Sequence, residues 1–373
     1  MKLFKKIIAL LVITITLISI TGCQEIKDLG VPTIKRYPGG GAVRCIWDTK
    51  VYDGKVYVGM GDYDKNTHPS DVWAYDIKKR KWVLTGSVDD EAVIRFIELG
   101  GNVLVVPGTD PSEDWEMGNY YILQNGTWQK QRVLPNVIHN FDIIDYDGKR
   151  MYGVGADYGL LPAIYTEDNG KTFKTFEFFK NGEPYLVKSE DYARGYEFFE
   201  VFSELYLLVH HTYVGIQKAS ASIFKYKDGA FYYYCDGREF FMASRINMTI
   251  TPAKAPFKNN YFYCTDYLYY TKETETFKTK WKVELPNGER VSDFVIHNGE
   301  MYILSFIEKE TEGYTVTIYK TNSGVSDFNK VYSFDYGVPP ISFDVYNKYA
   351  YVGMGDRKTV SDLNGKVLRI RIL

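Results

Sequence analysis

The sequence lacks a marked excess of charge of either sign: it has 45 basic and 47 acidic side chains in 373 residues, and a formal net charge of −2. Proteins that bind nucleic acid need a basic surface, so the sequence gives no reason to expect such a partner. Only four cysteines are present, and their spacing fits neither a disulfide framework nor a CxxC metal site. The sequence also lacks a P-loop, an HExxH pair and a recognisable nucleophile motif. The fold must therefore be stabilised by its core.

A helical period of 3.6 residues is missing as well, which argues against an α/β fold with crossover helices. Aromatic residues are abundant instead, with 33 Tyr, 22 Phe and 6 Trp, beside many Val, Ile and Thr. These side chains favour strands. The composition, 45% hydrophobic and 25% charged, is that of a globular protein. We expect an all-β fold.

The N-terminus has the features of an export signal. Three lysines precede an uncharged run, Ile7–Ile20, which is too short to span a bilayer comfortably. The next residues, Ile20-Thr21-Gly22-Cys23, resemble the lipobox of bacterial lipoproteins. The resemblance implies that Met1–Gly22 is a signal peptide and that Cys23 carries a diacylglyceryl group, with palmitate among its acyl chains. The chain would then be an extracytoplasmic protein anchored to the cell membrane. The alternative is an ordinary cleaved signal with an accidental cysteine.

Internal repeats dominate the rest of the chain. Tyr57-Val58-Gly59-Met60-Gly61-Asp62 recurs as Tyr351-Val352-Gly353-Met354-Gly355-Asp356, each after a segment with a hairpin turn. Similar hairpins predict second strands at intervals of 40 to 56 residues. We call the residue near which each second strand begins the anchor of its repeat. The anchors are Val56, Val103, Met151, Leu205, Tyr261, Met301 and Ala350.

Four short strands per interval are typical of a β-propeller, and seven intervals predict seven blades. Third strands fit within the intervals, for example at Asp71–Asp76 and Ala163–Thr166. The last strand, Lys366–Leu373, leaves its blade one strand short, and we expect Val31–Arg36 to close the ring. Two alternatives remain open: six blades with irregular segments, and a pair of β-sandwiches. The predicted organisation is a signal peptide at 1–22, a lipidated cysteine and tether at 23–30, and a propeller at 31–373.

Two segments resemble the motifs of known propeller families. Tyr165-Thr166-Glu167-Asp168-Asn169-Gly170-Lys171-Thr172-Phe173 resembles the Asp-box of the sialidase-like (BNR) propellers. Val72-Trp73-Ala74-Tyr75-Asp76, followed by Trp82, resembles part of a kelch blade. Both motifs are structural in their families, so the resemblance implies architecture alone. The Phe/Tyr-Arg-Ile-Pro motif of sialidases is missing, and their activity does not carry over.

Ligands of propellers usually contact the face that carries the loops between second and third strands. Polar residues recur there a few positions after the anchors: Asp62, Asp110, Asp157, His211, Asp266 and Asp356. One interpretation is a negative mouth that binds a cation, an amino sugar or a hydroxylated ligand. The other is that each Asp accepts backbone N–H bonds at a strand end. Repetition in most blades favours the second interpretation.

Two loops on this face are less repetitive. Asp62-Tyr63-Asp64-Lys65-Asn66-Thr67-His68 begins like a Ca²⁺ loop, but it lacks the required Gly and the bidentate Glu, so an EF-hand is excluded. A looser Ca²⁺ site stays open, and no other cofactor is expected. Pro111-Ser112-Glu113-Asp114-Trp115-Glu116-Met117 places a Trp among acids, which suits sugar recognition. Trp115 could instead fold over the rim as a local core.

Three functions fit these features. The first is a non-catalytic, lipid-anchored surface protein whose propeller face binds a glycan or a protein through Asp62, Tyr63, Asp64, Asp110, Trp115, Asp157, His211 or Asp356. The second is an exported glycan-active hydrolase or lyase with rim carboxylates as acid and base. The third is an assembly scaffold that docks envelope proteins. Because no catalytic motif is present, we favour the first function.

Overall fold

The structure is a computed structural model, and it describes residues 26–61, 69–155, 162–185, 192–213, 218–237 and 253–372. The predicted signal peptide and Cys23 lie outside these residues. The described residues form thirty strands in seven sheets. They contain no α-helix, only short 3₁₀ turns at Ala42–Arg44 and Glu273–Glu275. Within this part of the chain, no helix has the length and apolar character needed to cross a bilayer.

Strands β1 to β15 occupy the first half of the chain. They are β1 (Ile26–Asp28), β2 (Asp48–Tyr52), β3 (Lys55–Gly59), β4 (Ser70–Asp76), β5 (Lys81–Val88), β6 (Ile97–Leu99), β7 (Val103–Pro107), β8 (Met117–Gln124), β9 (Thr127–Pro135), β10 (His139–Tyr146), β11 (Lys149–Gly155), β12 (Ala163–Thr166), β13 (Lys174–Thr175), β14 (Phe178–Lys180) and β15 (Glu183–Pro184).

The second half contains the other fifteen strands. They are β16 (Tyr192–Val201), β17 (Glu204–Tyr213), β18 (Lys218–Lys227), β19 (Ala230–Asp236), β20 (Lys254–Phe257), β21 (Asn260–Cys264), β22 (Leu268–Thr271), β23 (Trp281–Lys282), β24 (Arg290–His297), β25 (Glu300–Glu308), β26 (Tyr314–Thr321), β27 (Asn329–Tyr336), β28 (Pro340–Tyr346), β29 (Tyr349–Met354) and β30 (Val367–Arg371).

Each sheet is one blade of a propeller, which confirms the predicted fold class and blade number. Five blades are four consecutive antiparallel strands: β2–β5, β6–β9, β10–β13, β20–β23 and β24–β27. The fourth blade, β16–β19, is extended by the hairpin β14–β15, because β14 pairs in parallel with β19 through Phe178 and Phe231. The predicted anchors all lie at or near the starts of second strands.

The seventh blade joins the two ends of the propeller. Its order is β28-β29-β30-β1, and β1 pairs antiparallel with β30, with Ile26 opposite Ile370. The closing strand is therefore Ile26–Asp28, and the prediction of Val31–Arg36 was wrong. Residues 32–36 form turns instead, beginning at Pro32, which has no N–H to donate to a ladder. The closing strand thus lies in the segment expected to be a tether.

The core lies between adjacent blades. One buried cluster, for example, contains Tyr57 and Val72 from the first blade and Phe96, Leu104 and Trp128 from the second. Neighbouring blades approach one another closely at glycines of the repeated motif. A Cβ on Gly59 would lie 2.4 Å from the carbonyl oxygen of Val93, and one on Gly353 would lie 2.4 Å from Cγ2 of Ile46. The repeat is therefore a contact between blades.

The segment that resembles an Asp-box forms a closed turn between β12 and β13. The hydroxyl of Thr166 accepts the N–H of Gly170 (2.9 Å), and the carboxylate of Asp168 accepts the N–H of Thr172 (2.9 Å) and its hydroxyl (2.6 Å). These bonds lower the pKa of Asp168 well below its ordinary value, with the Thr172 hydroxyl contributing most. Phe173 then packs against Tyr152. The turn thus has a structural role in this blade.

Candidate functional site

The first strand of each blade surrounds the central channel, and one residue in or beside each strand occupies an equivalent position there. We name these seven residues the central ring: Asp48, Arg95, Asp142, Glu197, Lys254, Asp293 and Ser342. The equivalence follows from strand pairing, since Asp48, Asp142 and Ser342 lie opposite Gly59, Gly153 and Gly353. The channel runs between the two faces of the propeller, which are named here by the loops that they carry. The 2–3 face carries the loops between second and third strands and the blade-to-blade connections, and the 1–2 face carries the turns between first and second strands.

Four ring residues from successive blades form a buried ion network. Arg95 donates to Asp142 Oδ1 (2.7 Å) and, through Nη2, to both oxygens of Glu197 (2.7 and 2.8 Å). Lys254 Nζ lies 2.8 Å from Asp142 Oδ2 and 2.5 Å from Glu197 Oε1. Glu197 is 0% exposed, so its charge depends entirely on these partners. Two cations balance two carboxylates, and the network connects blades two to five.

Aspartates on the first strands also join neighbouring blades through the backbone. Each accepts an N–H from the next blade: Phe96 N to Asp48 (2.6 Å), Phe198 N to Asp142 (2.8 Å), Phe343 N to Asp293 (2.9 Å) and Val51 N to Asp344 (2.7 Å). Asp142, Asp293 and Asp344 accept the N–H of their own following residue with the other oxygen. Recurrence in four blades makes these carboxylates part of the fold.

Burial affects these carboxylates differently. Burial raises the pKa of Asp48 and of Asp344, and raises that of Asp293 well above its ordinary value, because backbone N–H groups only partly offset the loss of solvent. Burial also opposes ionisation of Asp142, but Lys254 and Arg95 bring its pKa below the ordinary value. The pKa of Glu197 stays raised, since burial outweighs the same two cations. The cost of burying the carboxylates of Asp48 and Asp293 is therefore offset less fully than that of Asp142.

An apolar layer lies on the 2–3 side of the central ring. It consists of the residues that directly precede five ring members: Trp47, Ile94, Phe141, Tyr196 and Ile341. All five are buried, and the rings of Phe141 and Tyr196 stack with centroids 4.2 Å apart. Because a first strand begins at the 2–3 face, this layer separates the charged ring from that face.

A cavity of about 790 Å³ opens on the other side of the ring and reaches Trp47 and Ile341 of the apolar layer. It extends from Asp142 and Lys254 to residues of the turns between first and second strands, including Gly100, Phe202 and Lys258. Its size is that of small-molecule sites. The sequence placed ligand binding on the 2–3 face, whereas this cavity belongs to the 1–2 face.

The predicted site residues fall into two groups. Five of them lie outside the described residues: Cys23, Asp62, Tyr63, Asp64 and Asp157. Asp110 and Asp356 lie in turns of different blades. Asp110 has a φ of 57°, a conformation that Asp tolerates, and Asp356 accepts the N–H of Lys358 (2.8 Å). Both placements fit the interpretation of these residues as turn-forming.

His211 is buried in the fourth blade. Its Nδ1 lies 3.2 Å from the hydroxyl of Tyr185, and its ring contacts Tyr185 and Phe224. Burial, with smaller contributions from His210 and Lys180, lowers its pKa to about 4. A neutral imidazole packed among aromatic rings is part of the core. Among the described residues, no hydrogen bond or ring contact joins any two of Asp110, Trp115, His211 and Asp356.

Trp115 lies in a loop whose backbone is held on both sides. Arg132 donates to the carbonyl oxygens of Met117 (2.8 Å) and Asp114, and its guanidinium also reaches Glu113, which pairs with Lys130. The side chain of Trp115 is 48% exposed, between exposed Asp114 and Glu116. This is an aromatic side chain presented on a fixed loop.

Sequence reasoning missed the central ring and its cations. Arg95 and Lys254 carry no motif, but all seven ring residues lie seven to nine positions before the anchor of their blade. A charged or hydroxyl side chain at this narrow range of offsets is the signal that was available. The described residues hold no group of three or more His, Cys, Asp or Glu side chains arranged to bind a metal ion. Cys45, Cys235 and Cys264 are not joined to one another by disulfides.

Comparison with known proteins supports the fold. No protein-family profile matches the chain, and no curated protein matches its sequence. Among solved structures, YCF48 bound to D1 peptide has a TM-score of 0.50 at 9% identity, over 93% of this chain and 96% of that one. The polysaccharide lyase Uly1 has a TM-score of 0.49 at 8% identity (89% and 91%), and BamB from Moraxella catarrhalis 0.40 at 10% (89% and 85%). At 9% identity, the similarity to YCF48 concerns the fold alone.

Proposed function

We propose that the protein is a lipid-anchored, extracytoplasmic binding protein whose 2–3 face recognises a glycan, with Trp115 as the central contact. The half-exposed indole carries this proposal. Sugar C–H faces stack on such a ring, while hydroxyl groups donate to neighbouring carboxylates, here Asp114 and Glu116. A protein ligand on the same face is the alternative.

The fixed loop supports the proposal energetically. Arg132 holds the carbonyl groups before and after Trp115, and Asn136 N donates to the Glu116 carbonyl (2.8 Å). Ser112 N donates to Asp89 O (2.9 Å) at the start of the loop. The loop is therefore already fixed before a ligand stacks on Trp115. Binding would immobilise few further rotatable bonds of the protein, which keeps the entropic cost low.

The channel carboxylates support binding rather than catalysis. A glycan-active enzyme needs two carboxyl groups facing a substrate. Asp142, Asp293 and Asp344 each use both oxygens for N–H bonds that connect or shape blades, and Asp48 accepts the N–H of Phe96. We therefore assign these groups to the fold.

The test is a glycan array probed with the soluble chain Gln24–Leu373, which retains all thirty strands. We expect binding to one class of glycan, and at least a tenfold loss in Trp115→Ala. Leu84→Ala is the matched control, since Leu84 is a similarly exposed apolar residue on an outer strand. Retained binding in Trp115→Ala would refute the assignment, and silence of the whole array would favour a protein ligand.

The anchor has a separate test. Metabolic labelling with a fatty acid should mark the full chain in bacteria and should fail in Cys23→Ser, because the thioether requires that thiol. Equal labelling of the two proteins would exclude lipidation at Cys23. This labelling result does not depend on the glycan array, so the proposed membrane location and the proposed ligand are tested separately.

A further inference from the structure

The cavity on the 1–2 face has an acidic lining. Its carboxylates are Asp48, Glu98, Asp142, Asp145, Glu200 and Asp293, and its cations are Arg95, Lys254 and Lys258. Six carboxylates thus face three cations. Charges enclosed by low-dielectric walls act more strongly on a ligand than the same charges would on an open surface.

Ion pairs account for most of these charges. Arg95 and Lys254 are engaged by Asp142 and Glu197, while Glu98 pairs with Lys50 (3.3 Å) and Asp145 with Arg150 (2.7 Å). Among the described residues, Asp48, Asp293 and Glu200 make no ion pair, and neither does Lys258. Asp48 and Asp293 accept backbone N–H groups, and burial raises their pKa values, so Glu200 is the exposed carboxylate of this lining without an ion pair.

Tyr261 supplies a polar group without a partner. The residue lines the cavity and is only 3% exposed, yet its hydroxyl has no hydrogen-bond partner among the described residues. The pKa of this hydroxyl is raised well above its ordinary value, first by burial and then by the charges of Glu197, Asp142 and Glu200. The hydroxyl therefore lies within the field of these carboxylates, where an N–H donor from a ligand would satisfy it.

The remaining walls are aromatic and aliphatic. Trp47, Phe96, Phe198 and Phe202 contribute to the lining, together with Ile97 and Ile144. Aromatic faces attract cations and also cover apolar parts of a ligand. A metal ion does not fit this lining, because the described residues hold no cluster of metal-ligating side chains.

We propose that this cavity is a second binding site, which takes a small organic molecule through a primary ammonium group placed near Tyr261 and Glu200. The hydroxyl of Tyr261 accepts one N–H of the ammonium group, the carboxylate of Glu200 supplies the counter-charge, and the apolar lining residues cover the body of the ligand. The site is independent of the glycan site around Trp115, which lies on the opposite face.

Paired probes test the charge requirement by calorimetry with the chain Gln24–Leu373. One pair is 2-phenylethylamine with 2-phenylethanol, and the other is glucosamine with glucose; each pair differs mainly in the ammonium group. We expect at least one amine to bind at least tenfold more tightly than its neutral partner, and its affinity to fall at high ionic strength. Equal binding of amine and neutral partner, or no binding by either amine, would overturn the proposal.

Variants locate the site. Tyr261→Phe removes only the hydroxyl, and Glu200→Gln removes one exposed charge, so both should fold; each should weaken amine binding about tenfold. Glu310→Gln makes the same charge change in an exposed loop on the 2–3 face and should leave affinity unchanged. Unchanged affinity in both cavity variants, with melting temperatures like that of the wild type, would show that amines bind elsewhere.

Discussion

The buried network predicts that Arg95→Met destabilises the propeller strongly. Arg95 makes three close contacts to two carboxylates, and its removal leaves Asp142 and Glu197 to share Lys254. Both carboxylates are almost completely inaccessible to solvent. Breaking a buried ion pair by removing one partner costs about 3–5 kcal/mol. Arg150→Met is the control, because the pair of Arg150 with Asp145 is partly exposed and is worth about 1 kcal/mol or less.

Urea denaturation at several pH values measures this loss. Without Arg95, the folded-state pKa of Asp142, which the two cations hold below its ordinary value, rises, and the already raised pKa of Glu197 rises further. The deficit should be complete at neutral pH and should shrink as the pH falls toward the unfolded value of about 4, because a protonated carboxyl group needs no cation. The double variant Arg95→Met/Glu197→Gln should recover part of the lost stability, since the charges of Asp142 and Lys254 then balance. A loss below about 1 kcal/mol, or strict additivity with Glu197→Gln, would refute the reasoning.

Three further predictions concern the frame. Gly59→Ala should cost about 1–3 kcal/mol in chemical denaturation because its Cβ meets Val93 O, while Gly39→Ala, with nothing within 4 Å, should cost little; equal effects would contradict this. Deleting residues 24–28 should lower the melting temperature by exposing the edge of β30, and an unchanged temperature would mean that β1 does not close the ring. Asp168→Ala should lower the melting temperature at neutral pH, and the difference should shrink as the pH falls below about 3.9, since the folded pKa of Asp168 is lowered; a constant difference would argue against the turn bonds.

The blades could be predicted because each repeats a local pattern. A hairpin turn, a second strand and an aromatic residue such as Trp82 recur at regular intervals, so each strand is specified by neighbours in sequence. The closing strand could not be placed in this way. It has three residues, and its pairing with residues 368–370 connects opposite ends of the chain. Local alternation favoured the longer segment Val31–Arg36, although Pro32 argues against a ladder there.

The candidate site was harder to predict, because its chemistry arises between blades. Arg95 meets Glu197 across 102 positions of sequence, and Lys254 meets Asp142 across 112. Sequence spacing within one blade carries no information about such contacts. Trp115 could be proposed because an aromatic side chain among acids is a local signal; the exposure of its ring could come only from the structure.

The measurement that tests the central claim most directly is a glycan array on which wild-type protein, Trp115→Ala and Glu200→Gln are compared in parallel. The two substitutions lie on opposite faces, in the Trp115 loop and at the cavity of the 1–2 face. Recognition by the 2–3 face predicts that Trp115→Ala loses binding while Glu200→Gln keeps it. Binding that survives in Trp115→Ala and is lost in Glu200→Gln would place glycan recognition in the central cavity and contradict the account.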